Sequence, residues 1–183
     1  MMRLFIGIPL AAEVKDGLEK LVRKLQSDGD GLRWGSPESW HITLQFLGET
    51  SEATYGCVVD RLRDVTSPAV PVRLDGTGFF ERAGVFFAGV NVSAEMRELE
   101  KRVIAATMEC GFVAEDRPFH PHVTLARAKG ENRLKALRRL KERLNEDAKF
   151  PAFTATEFVL YQVFLGAGGS QYEVRERFRL GND

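Results

Sequence analysis

Short apolar runs alternate along this chain with longer stretches in which apolar positions recur every three or four residues. Residues 3–9 (RLFIGIP) are short, apolar and β-compatible, and the segment after them places Val14, Leu18, Leu21, Val22 and Leu25 at helical spacing. A strand followed by a helix is predicted. A second strand carries WHITLQFLG at 40–48, after which Ser51 and Glu52 make a helix start ahead of Tyr55, Val58, Val59 and Leu62. A third strand, from Val72 toward Phe80, closes the first half.

The same order then recurs. An apolar strand runs from Val85 to Val92, and a helix begun by Ser93 turns Met96, Leu99, Val103 and Ile104 inward. The strand PHVTLA follows at 121–126, then a helix from about Glu131 carrying Leu134, Leu137, Leu140 and Leu144. FTATEFVLYQVFL at 153–165 reads as the matching closing strand. QYEVRERFRL at 171–180 alternates only loosely over Tyr172, Val174 and Phe178 and reads as a last edge strand.

A shift of 81 residues, from His41 to His122, lays one half over the other without a gap. Phe5 falls on Phe86, Leu18-Glu19-Lys20 on Leu99-Glu100-Lys101, Val22 on Val103, Thr43 on Thr124 and Leu44 on Leu125. The shared register predicts a duplicated unit and an α+β fold of two similar lobes, with antiparallel sheets and helices packed outside. The expected organisation is one domain over 1–183, with repeat units at about 3–80 and 84–165 and a closing strand at 171–180. A pseudo-twofold arrangement would set the two His-x-Thr copies facing each other across a cleft.

Composition narrows the function classes. Hydrophobic residues make up 44% of the 183-residue chain, enough for a substantial core. Lys plus Arg and Asp plus Glu both number 26, which removes the long-range attraction expected of a protein that coats nucleic acid. A local basic site is still compatible with that balance. The two cysteines, Cys57 and Cys110, lack CxxC or metal-type spacing and read as buried free thiols in a reducing, cytoplasmic setting. Gly7 and Pro9 interrupt the apolar start, so it reads as a first strand rather than a signal peptide. No apolar run approaches the roughly 18 to 20 residues that cross a bilayer, and no membrane association is expected.

Side chains alternate along a strand, so the His and Thr of HITL project from one face while Ile42 and Leu44 enter the opposite layer, and HVTL repeats the pattern. Two imidazoles and two hydroxyls around one cleft suit attack at phosphorus, where the nucleophile loses a proton and the leaving oxygen gains one. Histidine can fill either role near neutral pH. Thr hydroxyls can donate to nonbridging phosphate oxygens, and a nearby Arg can balance the charge. Nothing in the spacing tells acid from base. A metal reading of His120-x-His122 lacks any HExxH, CxxC or carboxylate cluster to complete it, so no metal or other cofactor is expected. His120 instead supports the site or shapes the turn made with Pro118 and Pro121.

HITLQFLG at 41–48 and RPFHPHVTLAR at 117–127, with RLFIGIPL and LRWGSPESW, resemble the 2′-5′ RNA ligase family, also called RNA 2′,3′-cyclic phosphodiesterases, within the 2H phosphoesterases. The resemblance spans nearly the whole chain. It implies a bilobal fold and metal-independent hydrolysis of a terminal RNA 2′,3′-cyclic phosphate to a 2′-phosphomonoester. It also implies His41 as proton donor to the leaving 3′-oxygen, His122 as proton acceptor for water, and Thr43 and Thr124 on the phosphate. The implied partners are RNA 3′ ends or cyclic nucleotides. No protein partner is expected, and nothing demands more than a monomer. Two alternatives share these residues: ATP-independent 2′-5′ RNA ligation, and a non-catalytic module that binds RNA ends.

The family's Arg after the second motif falls on Arg127, an odd number of residues from His122. A regular strand would aim it at the opposite face, so it serves the cleft only if the strand ends or bulges there or its side chain curls back. Its counterpart under the shift is Phe46. Phe46 and Trp34 are candidates to stack on a base, against the alternative of simple core residues. Residues 127–143 hold eight basic side chains against Glu131 and Glu142, either a solvated helix face or a guide for an RNA end.

Overall fold

The computed structural model describes residues 1–144 and 148–181. Among them the chain forms nine strands and four helices in the order β1 (Met2–Pro9), α1 (Ala12–Leu25), β2 (Leu32–Trp34), β3 (His41–Thr50), α2 (Glu52–Arg63), β4 (Val70–Phe80), β5 (Val85–Asn91), α3 (Ala94–Met108), β6 (His122–Ala128), α4 (Arg133–Arg143), β7 (Phe153–Ala155), β8 (Glu157–Gly166) and β9 (Gly169–Arg179). The fold is α+β with two antiparallel sheets, one ordered β3-β1-β8-β9 and the other β2-β6-β5-β4-β7. Local chemistry places the helix starts where the sequence predicts them. Ser51 Oγ accepts from the Thr54 amide and Ser93 Oγ from the Met96 amide, both at 3.1 Å, satisfying amides that the first helical turn leaves open.

One continuous core lies between the helices and one face of both sheets. It takes Leu4, Ile6 and Ile8 from β1, Ile42 and Leu44 from β3, Val123 and Leu125 from β6, and Val14, Leu18, Met96, Leu99, Leu137 and Leu140 from the helices. The predicted α4 differs in one detail. It begins at Arg133, and Leu134 in its first turn is exposed, because Ala136, Leu137 and Leu140 already fill the buried stripe. Lys141 reaches Glu81 at 2.6 Å and lies over Phe79, and α4 packs on the core side of its sheet. Its basic residues therefore sit on the far face from His122, rather than along the cleft.

The closing strands do not stay with their own halves. β4, from the first half, pairs with β5, and β8, from the second, pairs with β1. Each sheet thus contains strands from both sequence repeats. The predicted closing strand at 153–165 is two strands: β7 joins β4 in one sheet, the chain leaves the ladder at Thr156, and β8 enters the other sheet. The loose alternation at 171–180 has a local cause. Arg175 is unpaired between Val174↔Tyr161 and Glu176↔Leu160, so Tyr172 and Val174 take one face and Phe178 the other.

The 81-residue shift holds for β3 and β6 but slips by one at the first strands. Gly7 lies opposite Thr43, whereas Phe87, not Ala88, lies opposite Thr124. A one-residue slip exchanges faces. Phe5 consequently packs on the cleft side with Val159 and Tyr161, while Phe86 enters the core.

The cysteines are the clearest departure from the sequence reading. Cys57 of α2 and Cys110, just past α3, form a disulfide with Cα atoms 5.9 Å apart, so the free-thiol expectation is overturned. α2 and α3 pack side by side, a proximity that a separation of 53 residues does not reveal. The expectation of a reducing compartment rested on free thiols and loses that support. No helix among the described residues is long and apolar enough to cross a membrane. Closing so long a loop contributes about 2–4 kcal/mol. Reduction, or a Cys57→Ser/Cys110→Ser pair, should lower the thermal midpoint by at least roughly 4 °C. Denaturation without reductant should expose no alkylatable thiol; two reactive thiols there would contradict the bridge.

Candidate active site

β3 and β6 lie against each other where the two sheets meet, and each begins with the histidine of its motif. His41, Thr43, His122 and Thr124 are all half-buried, while Ile42, Leu44, Val123 and Leu125 between and beyond them are in the core. The alternation expected of a strand therefore places both imidazoles and both hydroxyls on the face away from the helices.

Each histidine is held in the same way. His41 Nδ1 bonds the carbonyl of Ser39 at 2.9 Å, and His122 Nδ1 bonds the carbonyl of His120 at 2.8 Å. A carbonyl oxygen can only accept, so both Nδ1 atoms carry hydrogen and both Nε2 atoms are left for a substrate. Ser39 and His120 occupy equivalent positions, and what they share is the main-chain oxygen. His120 thus serves His122 through its backbone, while its own exposed ring stands edge-on to Phe80, with centroids 5.2 Å apart.

Below the histidines are aromatic rings, which the sequence reading did not single out. His41 lies over Phe5 with centroids 4.4 Å apart and meets the edge of Tyr172 at 5.1 Å. His122 meets Phe80 at 4.9 Å and Phe87 at 5.3 Å. In a sequence these residues look like core, and only the sheet register turns them to the cleft. Two glycines permit the close fit. A Cβ on Gly7 would come within 2.7 Å of the Ile42 carbonyl oxygen, and one on Gly78 within 2.5 Å of the Phe87 ring.

This apolar floor sets the protonation of the site. Burial pushes the His41 pKa down to about 4, against a smaller upward pull from the Ser39 carbonyl and with further lowering by His122 and Arg127. Burial also lowers the His122 pKa, with the His120 carbonyl opposing it and electrostatic repulsion from His120 and Arg127 adding to it. Both shifts favour the uncharged imidazole at neutral pH in the ligand-free protein. Burial likewise pushes the Tyr161 phenol up to about 12, leaving it a neutral part of the floor.

The position of Arg127 follows from a bulge. In β6 Leu125 has no partner between Thr124↔Phe87 and Ala126↔Phe86, and Leu125 and Ala126 are both buried. The extra residue returns Arg127 to the cleft face, where its charge acts on both histidines. β3 bulges at the equivalent Leu44, burying Gln45 against a hydrogen bond from Thr107 at 2.8 Å and bringing Phe46 to the same face, 61% exposed and 6.0 Å from Phe5. Phe46 and Arg127 therefore flank the site at matching positions. Trp34 does not share that face, although it lines a pocket next to Arg127. It lies opposite Ala126 in the ladder and edge-on to Phe86 on the core side, with its indole N–H donated to Asp30 at 2.8 Å.

The family model described as the 2′-5′ RNA ligase superfamily matches residues 14–163. A Thermotoga maritima protein named RNA 2′,3′-cyclic phosphodiesterase is 32% identical over 180 residues, covering 94% of this chain and 92% of its own. A Geobacillus stearothermophilus protein of the same name is 32% identical over 166 residues, covering 86% of this chain, which spans only 51% of that relative. The structure of E. coli LigT complexed with 3′-AMP shares the fold, with a TM-score of 0.82 and 24% identity over 99% of both chains. Sequence profile, relatives and a cleft built on two His-x-Thr strands agree: the chain belongs to the 2′-5′ RNA ligase superfamily.

Proposed function

We propose that this protein hydrolyses the 2′,3′-cyclic phosphate at RNA 3′ ends to a 2′-phosphomonoester without a metal. The observation that carries the reading is the matched pair of imidazoles, each with Nδ1 donated to a backbone carbonyl and Nε2 left for the reacting oxygens. Water attacks phosphorus as His122 Nε2 takes its proton. The bond from phosphorus to the 3′-oxygen breaks as protonated His41 supplies a proton there, leaving a 3′-hydroxyl and a 2′-phosphate. Thr43 and Thr124 donate to the nonbridging oxygens, and Arg127 balances the charge that gathers in the transition state. Phe46, exposed beside the floor, offers a face to the terminal base. The T. maritima relative's name supports this substrate class.

Two neutral histidines pose a condition that the substrate itself meets. A bound phosphodiester carries negative charge, and an opposite charge nearby favours the imidazolium. The proton needed by the leaving oxygen is therefore acquired with the substrate.

Incubation with a 2′,3′-cyclic nucleotide and a chelator should yield the 2′-phosphate alone. A 3′-phosphate would reverse the leaving-group assignment, and intact cyclic nucleotide would leave only a binding role. His41→Ala and His122→Ala should each reduce kcat by roughly 10²-fold or more. Full activity in either would remove its role in proton transfer. The pH profile carries a sign. In free enzyme the donor must be protonated with a pKa of about 4, and the acceptor neutral with a pKa below 6.5. kcat/KM should therefore peak on the acid side of 6.5 and fall above it, while kcat, which reports the bound state, should hold to higher pH. A kcat/KM that rises steadily into the alkaline range would contradict this.

A further inference from the structure

Two arginines stand side by side on the cleft face with no carboxylate between them. Arg33 of β2 lies directly opposite Arg127 of β6 in an antiparallel ladder, while its neighbours Leu32 and Trp34 pack toward the core. Like charges directly opposite destabilise a sheet. Among the described residues neither arginine has an acidic partner within ion-pair distance. The Arg33 side chain also reaches toward the other sheet: its Cδ and Nη1 lie 3.5 and 3.6 Å from where a Cβ on Gly169, the first residue of β9, would stand. Its guanidinium therefore lies close to the first residue of β9, in the other sheet.

A pocket of about 420 Å³ opens beside this pair, formed by the 26–34 loop together with Arg127 and Lys129. That volume is in the range, roughly 300–1,000 Å³, that holds small ligands. Two carboxylates line it. Asp30 holds the loop together, accepting from the Leu32 amide at 2.9 Å and the Trp34 indole at 2.8 Å, with Arg143 at 3.9 Å. Asp28 is the other. Against them stand Arg33, Arg127 and Lys129, so the pocket favours an anion next to a polar, nucleoside-sized group.

We propose that Arg33 and Arg127 together hold the phosphodiester joining the terminal nucleotide to the one before it, with the preceding nucleoside in the adjoining pocket. The proposal rests on the cyclic phosphodiesterase reading and deepens it, because it names the residues that engage the nucleotide before the terminal one. Cross-strand partners are only about 5 Å apart, so one phosphate can accept from both guanidinium forks. Arg127, with five donors, faces the terminal phosphate with one edge and the linkage with another. Arg33 is then a specificity-determining residue.

The test compares a dinucleotide ending in a 2′,3′-cyclic phosphate with the corresponding cyclic mononucleotide that has a free 5′-hydroxyl. Wild-type protein should favour the dinucleotide in kcat/KM, and Arg33→Ala should lower the dinucleotide-to-mononucleotide ratio roughly 10- to 100-fold, the worth of hydrogen bonds to a charged group. The slope of log KM against log salt for the dinucleotide should fall by about 0.7, one phosphate contact fewer. Thermal stability should not fall, since a like-charge pair is relieved. An unchanged ratio, or equal losses on both substrates, would overturn the assignment. Should wild-type protein turn over neither substrate, the activity reading fails but the subsite is still decided by calorimetry. Tighter binding of a dinucleotide 2′-phosphate than of the 2′-mononucleotide, lost in Arg33→Ala, supports it, and equal binding by wild type overturns it.

Discussion

An extra residue at equivalent points of two strands, Leu44 in β3 and Leu125 in β6, determines what the cleft contains. A strand with unbroken alternation would bring His41 and Thr43, or His122 and Thr124, to one face and send Phe46 and Arg127 into the core. Leu44 and Leu125 break the alternation at equivalent points, so each strand presents histidine, threonine and then a third functional side chain. Burying two consecutive residues is easy where both are apolar, as with Leu125 and Ala126. In β3 the second is Gln45, whose oxygen would be unsatisfied in the core without the Thr107 hydroxyl of α3. The two halves thus share a backbone device and differ in what it delivers, an aromatic face on one side and a guanidinium on the other, which suits a substrate with a base at one end and a phosphate at the other.

The chemistry of the site follows from where its histidines are packed. Each ring rests on aromatic side chains, which orient it and withhold water, and each is anchored by a carbonyl that accepts whether the imidazole is charged or not. Desolvation favours the uncharged form of both in the ligand-free protein, and Arg127 adds to that bias. Under the proposed function, a bound phosphodiester would supply the missing negative charge. On that proposal, the same arrangement that makes a resting imidazolium unfavourable would make one induced by substrate a strong acid, as protonation of a leaving alkoxide requires.

Exchange of the closing strands gives these neighbouring histidines a common frame. Because β4 adds to β5 and β8 adds to β1, each sheet is assembled from both halves of the chain, and the helices cover one shared core. The disulfide between Cys57 and Cys110 ties α2 to the end of α3 across that same layer. A histidine on β3 and another on β6 are then held by interlocked elements, as the proposed reaction at one phosphate would need.

Much of this was legible in residues 1–183 read as a string. Apolar periodicity located all four helices and most strands, serine caps marked two helix starts, and the paired His-x-Thr motifs identified the residues that share the cleft face. These are local properties: alternation, helical spacing and capping act within a few residues of chain. The 81-residue shift also matched β3 to β6, but not the one-residue slip that separates Phe5 from Phe86. What needed the tertiary structure was everything set by pairing between distant segments. The bulges that turn Arg127 and Phe46 to the cleft, the core-side packing of Trp34, the opposition of Arg33 to Arg127, the division of residues 153–165 between two sheets and the joining of Cys57 to Cys110 all depend on which strand or helix lies beside which. A side chain's face in a sheet is fixed by the register with its partner, and a register is a relation between two segments that neither segment carries alone.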